Sequence, residues 1–136
     1  MPCRWRRSGV APAGAGDLLL RIYKAFLNSC AGFAYALRTE RAIQQEAVLL
    51  VIAIPAAFWV GVTVAERLIL VLAVVAVLCI EFLNTAIEKL CDHVTPSVHP
   101  QIKAIKDMAS AACLCVQVSA GLVWLWLLAE RLATHV

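Results

Sequence analysis

Charged residues are scarce in this chain of 136 residues: only 15% are Asp, Glu, Lys or Arg, and 7% are aromatic. No Walker A lysine loop and no glycine-rich kinase loop occurs, and Gly14–Gly16 has no strand before it, so the familiar soluble nucleotide-binding folds are excluded. The six cysteines, Cys3, Cys30, Cys79, Cys91, Cys113 and Cys115, make no CxxC pair and no zinc spacing, which leaves them as small buried residues. A cleavable signal peptide is not expected either. Arg4, Arg6 and Arg7 are followed by a Pro-, Gly- and Ala-rich stretch rather than an apolar segment, and residues 1–16 are expected to be a disordered tail.

What the chain has instead is hydrocarbon. It is 62% hydrophobic, with a mean hydropathy of +0.83. Ordinary soluble domains hold about 45–50% apolar residues. The excess lies in three runs, at about 47–64, 68–91 and 108–129, each long enough to cross a bilayer core. Pro55 is expected to kink the first. Ala65–Arg67 is expected as a tight turn, and His93–Asp107 as a longer connection broken by Pro96 and Pro100. Ahead of the spans, residues 17–38 place Leu18, Ile22, Phe26, Phe33 and Leu37 at helical spacing, with Arg21, Lys24 and Asn28 on another face. That pattern suits an amphipathic helix on the membrane surface. The fold expected for residues 17–136 is therefore all-α and integral to the membrane: one surface helix and three transmembrane helices.

Ten of the twelve Lys and Arg residues lie before the first span or in the second connection; Arg67 and Arg131 are the others. The positive-inside rule makes that side, and the N-terminus, cytoplasmic. Trp59, Trp124 and Trp126 gather towards the opposite face, as an aromatic belt would.

The second span ends in EFLNTAIEKLCD, residues 81–92. On a helix, Glu81, Asn84, Thr85, Glu88 and Asp92 form one stripe, and Glu81 and Glu88 are about 10 Å apart along the axis. Ionisable groups in a span cost about 2.5–3.5 kcal/mol each at the helix centre and are usually functional. Glu40, Glu46, Lys106, Asp107 and Ser110 reach the same end of the spans. Carboxylates with a lysine at a membrane surface suit Mg²⁺ carrying a phosphorylated ligand, because Mg²⁺ is held by one or two carboxylates plus phosphate oxygens and a lysine offsets phosphate charge. Such equipment serves phosphoryl transfer.

The pattern E-x-x-N-x-A-I-E-x-x-x-D in residues 81–92, with Lys106–Asp107 in KDMASAA opening the last span and TERAIQQE upstream, resembles the small prokaryotic membrane diacylglycerol kinases over about residues 18–130. The resemblance implies a homotrimer in the bacterial cytoplasmic (inner) membrane, with active sites between subunits, Mg²⁺ as cofactor, ATP as phosphoryl donor and diacylglycerol as acceptor. It implies Glu81 as general base and Glu40 and Glu88 as Mg²⁺ ligands. Arg21, Lys24, Asn28, Ser97, His99, Lys106 and Asp107 would meet ATP or its phosphates, and Glu46, Asn84 and Ser110 would meet the lipid. A branch of the same family phosphorylates undecaprenol; Arg41 resembles that branch, Glu46 the diacylglycerol branch. No nucleic acid is expected as a partner. A proton-coupled transporter would need a polar exit that the aliphatic half of the second span and VWLWLLA lack. A structural adaptor could use the small residues of Ala109–Ala112 for packing but has no need of Glu40 or Lys106–Asp107.

Overall fold

In the computed structural model, residues 15–95, 97 and 99–134 are described, so the expected tail, Pro96 and the arginines at 4, 6 and 7 lie outside the described residues except for Ala15 and Gly16. Four α-helices follow one another: α1 (Ala15–Thr39), α2 (Arg41–Val60), α3 (Val64–Val94) and α4 (Pro100–Ala133). There is no strand among the described residues. The last three are long and apolar enough to cross a membrane. Helices are the form such segments must take, because hydrocarbon offers no partner to a free backbone amide.

The chain divides into two compact units, Met1–Tyr35 and Ala36–Val136. In the first, α1 carries Leu18, Ile22 and Phe26 exposed on the stripe that the sequence outlines, and Arg21, Lys24 and Asn28 are also exposed. In the second, α3 packs against both α2 and α4, with a smaller contact between α2 and α4.

Each spanning helix is longer than its apolar run. α3 has 31 residues and α4 has 34. About 20 suffice for the hydrocarbon core, so the polar end of α3 and the first turns of α4 continue beyond it or the helices tilt. The α1–α2 joint is a single non-helical residue, Glu40, in extended conformation. Gln44 Nε2 donates to the Leu37 carbonyl at 2.9 Å and so satisfies one of the carbonyls that a helix end leaves open. Ala36, Ile43 and Leu78 pack beside the joint, and Ile43 is completely buried.

At the other end, the turn lies at Gly61–Thr63 and not at Ala65–Arg67, which belong to the first turns of α3. The cause is a capping box. Glu66 N donates to Thr63 Oγ1 at 3.2 Å, while the Glu66 carboxylate accepts from Val62 N at 2.7 Å and from Thr63 N. Arg67 Nε donates to the Gly61 carbonyl at 2.9 Å, and its guanidinium lies 5.3 Å from the Phe58 ring centroid. A Cβ at Gly61 would stand 2.9 Å from Arg67 Cγ, which is why the smallest residue holds that corner. Glu66 and Arg67 thus organise the turn instead of merely facing solvent.

Trp59 and Trp126 are exposed, as a belt requires, but Trp124 turns inward. Its Nε1 donates to the Leu70 carbonyl at 3.1 Å, and it packs on the cluster of Ala57, Val60, Leu70 and Leu127. The indole N–H needs a partner when it leaves the interface, and a helical carbonyl has a second lone pair to offer.

Replacing Thr63 by Ala should cost about 1 kcal/mol, the usual worth of an N-cap. Reversible unfolding in mixed micelles checks this; unchanged stability would remove the cap from any account of the turn.

Candidate functional site

The polar stripe on α3 is real and only partly covered: Glu81, Asn84, Thr85 and Glu88 are half-buried, and Asp92 is exposed. What the helices set opposite the stripe changes along its length, and three levels can be separated.

The deepest level joins α2, α3 and α4. The carboxylates of Glu46 and Glu81 interact electrostatically across α2 and α3. α4 contributes two groups one turn apart. The Gln117 side chain lines the same cleft as Glu46, and the Cys113 thiol, beside Glu81, donates to the Ile80 carbonyl at 3.7 Å. Glu46 Oε2 is buried and accepts no hydrogen bond within the chain. A cleft of about 390 Å³ opens here, lined on one side by Glu46 and Gln117 and otherwise by apolar residues such as Leu49, Val74 and Trp124. Ser110 is exposed and does not line this cleft.

At the middle level, Asn84 Nδ2 donates to Glu88 Oε1 at 3.4 Å, and Asn84 Oδ1 is buried without a partner. Lys89 Nζ sits 2.8 Å from Glu40 Oε1. Because Lys89 follows Glu88 on α3, this ion pair draws Glu40 from the α1–α2 joint to the level of Glu88. The Lys89 ammonium, and then the Thr39 side chain, hold the Glu40 carboxyl below the usual carboxylate range.

Among the described residues, no three His, Cys, Asp or Glu side chains converge on a metal position. Glu40 and Glu88 with the orphaned Asn84 oxygen are nonetheless hard oxygen donors, which is the chemistry Mg²⁺ selects, and Mg²⁺ commonly completes its shell with phosphate and water. The donor set fits that ion and would not suit a thiophilic metal.

The third level is a second cavity, about 280 Å³, at the α3–α4 connection. It brings together Ser97, His99, Lys106 and Asp107, all expected from sequence to meet ATP, and adds Asp92, Thr95 and Lys103. Its charges are paired: Lys106 Nζ to Asp92 Oδ1 and Lys103 Nζ to Asp107 Oδ2, each at 2.6 Å. His99 also has a local duty. It is the N-cap of α4, its Nδ1 accepting from Gln101 N at 3.3 Å, with Pro100 supplying the fixed first helical position. The hydroxyls of Thr95 and Ser97 share a hydrogen bond at 3.0 Å.

Three residues carry more than their sequence signals suggested. Lys89 stood out only as one positive charge among ten on its side, though a lysine beside a striped carboxylate is a candidate partner for a second one. Gln117 is a lone amide deep in an apolar span, which is itself a signal, since an amide set in hydrocarbon needs a partner. Cys113 gave no signal, because a cysteine in an apolar run reads as a small hydrophobe. Arg21, Lys24 and Asn28 belong to the first unit and are described there.

The sequence profile described as prokaryotic diacylglycerol kinase matches residues 27–128, which include Asn28 and every site residue named on α2, α3 and α4. The diacylglycerol kinase of Pseudomonas aeruginosa is 43% identical over 94 residues, covering 69% of this chain and 76% of that protein. That of Escherichia coli K12 is 36% identical over 108 residues, covering 79% and 88%. The undecaprenol kinase of Bacillus subtilis is 36% identical over 98 residues, covering 72% and 79%.

The Glu40–Lys89 pair makes a pH prediction whose sign follows from the lowered Glu40 value. Stabilisation by the pair is complete above the ordinary carboxylate range and is lost as pH falls through the lowered folded-state value. In Lys89→Met the Glu40 carboxyl should titrate at higher pH than in the unmodified protein. Carboxyl-carbon NMR titration reads this directly, and an unmoved midpoint would dissolve the pairing. With its polar stripe, its cation-lined cavity and the profile match across three quarters of its length, the chain belongs to the prokaryotic diacylglycerol kinase family.

Proposed function

We propose that residues 17–136 form a membrane lipid kinase that moves the γ-phosphoryl group of ATP to the free hydroxyl of 1,2-diacylglycerol, giving phosphatidic acid and ADP. The observation that carries the reading is the vertical order of the two cavities. The one at the α3–α4 connection gathers Lys106, Asp107, Ser97 and His99, and the apolar one is lined by Glu46, whose carboxylate interacts with that of Glu81, deeper in the chain's helices. A nucleotide approaches from water and a diacylglycerol from the bilayer, so a kinase joining them needs this order.

The roles follow from position. Glu81, on the hydrocarbon side of Glu88, accepts the proton of the lipid hydroxyl as its oxygen bonds to the γ-phosphorus. The bond between that phosphorus and the β–γ bridging oxygen breaks, and ADP carries the charge away. A positioned base of this kind supplies about 10²–10⁴ in rate. Lys106 turns from Asp92 towards the phosphates as a point charge, and Asp107 and the connection around Ser97 and His99 hold the nucleotide. Arg21, Lys24 and Asn28 add phosphate contacts from the surface helix. Glu40 and Glu88 would hold Mg²⁺, which when bound spreads the phosphate charge. Glu46, Asn84 and Ser110 face the lipid head group. The working form is a homotrimer in the bacterial cytoplasmic membrane with the N-terminus inside. Large exposed apolar faces on α2, α3 and α4 support association as well as lipid contact.

Undecaprenol is the second acceptor to consider, since a relative named for it aligns at the same identity as the Escherichia coli enzyme. Glu46, buried and unpartnered at one oxygen and sharing the cleft margin with Gln117, favours a compact polar head group with more than one hydrogen-bonding atom over a bare polyprenyl alcohol.

Two measurements test the proposal. Purified protein offered Mg-ATP labelled at the γ-phosphate should label diacylglycerol faster than undecaprenol in parallel assays. The reverse preference would keep the chemistry and move the substrate; labelling of neither would defeat the kinase reading. Glu81→Gln should lower turnover at least about a hundredfold, the low end for a general base, while ATP still binds. Normal turnover in that variant would strip Glu81 of its role.

A further inference from the structure

Gln117 is a neutral amide placed in an apolar span, next to neither the nucleotide cavity nor a helix end. An amide without a partner is costly in hydrocarbon. The carboxylate of Glu46 on α2 lies near it, and the two form the polar margin of a cleft otherwise walled by aliphatic side chains and Trp124. One turn earlier on the same face, Cys113 stands against Glu81. α4 therefore sets a polar group beside each of two carboxylates that repel one another. Structural cross-linking alone would saturate the carboxylate, yet Glu46 Oε2 remains buried and without a bond. A buried acceptor at the mouth of an apolar cleft calls for a ligand with a donor on one end and hydrocarbon on the other.

We propose that Gln117 is a positioning residue for the lipid substrate: by bonding Glu46 across the cleft it orients the free oxygen of that carboxylate towards a hydroxyl or ester-bearing head group, whose hydrocarbon enters the cleft. The Trp124 ring, fixed by its bond to the Leu70 carbonyl, forms a rigid part of the wall. The inference rests on the kinase reading but goes beyond it, since it assigns lipid positioning to Gln117, a residue that contacts neither ATP nor the reacting oxygen. The ligand class is a lipid alcohol with a small polar head.

The test uses the full-length protein in mixed micelles, with Gln117→Met, which keeps length and suits an apolar helix. Initial rates are measured against diacylglycerol at saturating Mg-ATP, then against Mg-ATP at saturating lipid. The expected result is a KM for lipid raised about tenfold, the loss of one hydrogen bond to a charged group, with KM for ATP unchanged. In a double-mutant cycle, Gln117→Met should add little further change in a Glu46→Ala background, because it acts through that carboxylate. An unchanged lipid KM, equal shifts in both KM values, or full additivity with Glu46→Ala would overturn the assignment; equal shifts are what loosened packing or a neighbouring subunit's helix in the cleft would produce. Failure of the kinase reading itself is seen earlier, in the unmodified protein labelling no lipid, and would remove both.

Discussion

A carboxylate inside a span must be met by another element, and everything polar in this protein is arranged around that demand on α3. Glu81 on an otherwise aliphatic helix costs a few kcal/mol to insert unless something answers it. On α4 the Cys113 thiol stands beside it, whereas Glu46 on α2 is a like charge that adds to the demand and is itself faced by Gln117. Higher on the same stripe, Glu88 is met by Asn84, Asp92 by Lys106, and Glu40 reaches across to Lys89. The segments are thus tied by polar contacts at Asp92–Lys106 and Glu40–Lys89 as well as by the buried apolar clusters, while their outer apolar faces remain largely uncovered. In lipid, apolar contact between helices gains little over apolar contact with acyl chains, so polar pairs and close packing determine how helices meet.

The polar contacts also grade chemistry with depth. Towards the α3–α4 connection the contacts are ion pairs at or near the surface, which are individually weak enough to exchange partners when a phosphate arrives. Deeper in, they are an amide, a thiol and two carboxylates, which can hold a hydroxyl but have little to offer a nucleotide. A reaction between a water-soluble donor and a membrane-bound acceptor is matched by this change of partner type along one helix.

Much of this was legible in residues 81–92 and 106–107. Period 3.6 places Glu81, Asn84, Glu88 and Asp92 on one face whatever the neighbours are, and an apolar stretch of some twenty residues can only be a helix in lipid. The expected turn at Ala65–Arg67 was misplaced by a few residues, because Glu66 and Arg67 look like turn residues by charge but serve the helix start. Trp124 looked like a belt residue by composition, and only its contact with Leu70 showed otherwise.

The chain's hydropathy, charge asymmetry and helical periodicity by themselves determined three spans, an amphipathic leading helix and a single polar stripe, since these are local properties of each segment in water and lipid. Which residues face the stripe was decided by tertiary structure alone. Glu40 finding Lys89, Glu46 finding Gln117, and Lys106 finding Asp92 depend on the rotation and offset of whole helices. Those are set by the packing of Ile43 on Leu78 and of Leu70 on Ala57 and Leu127, contacts between segments that no spacing within one segment can encode.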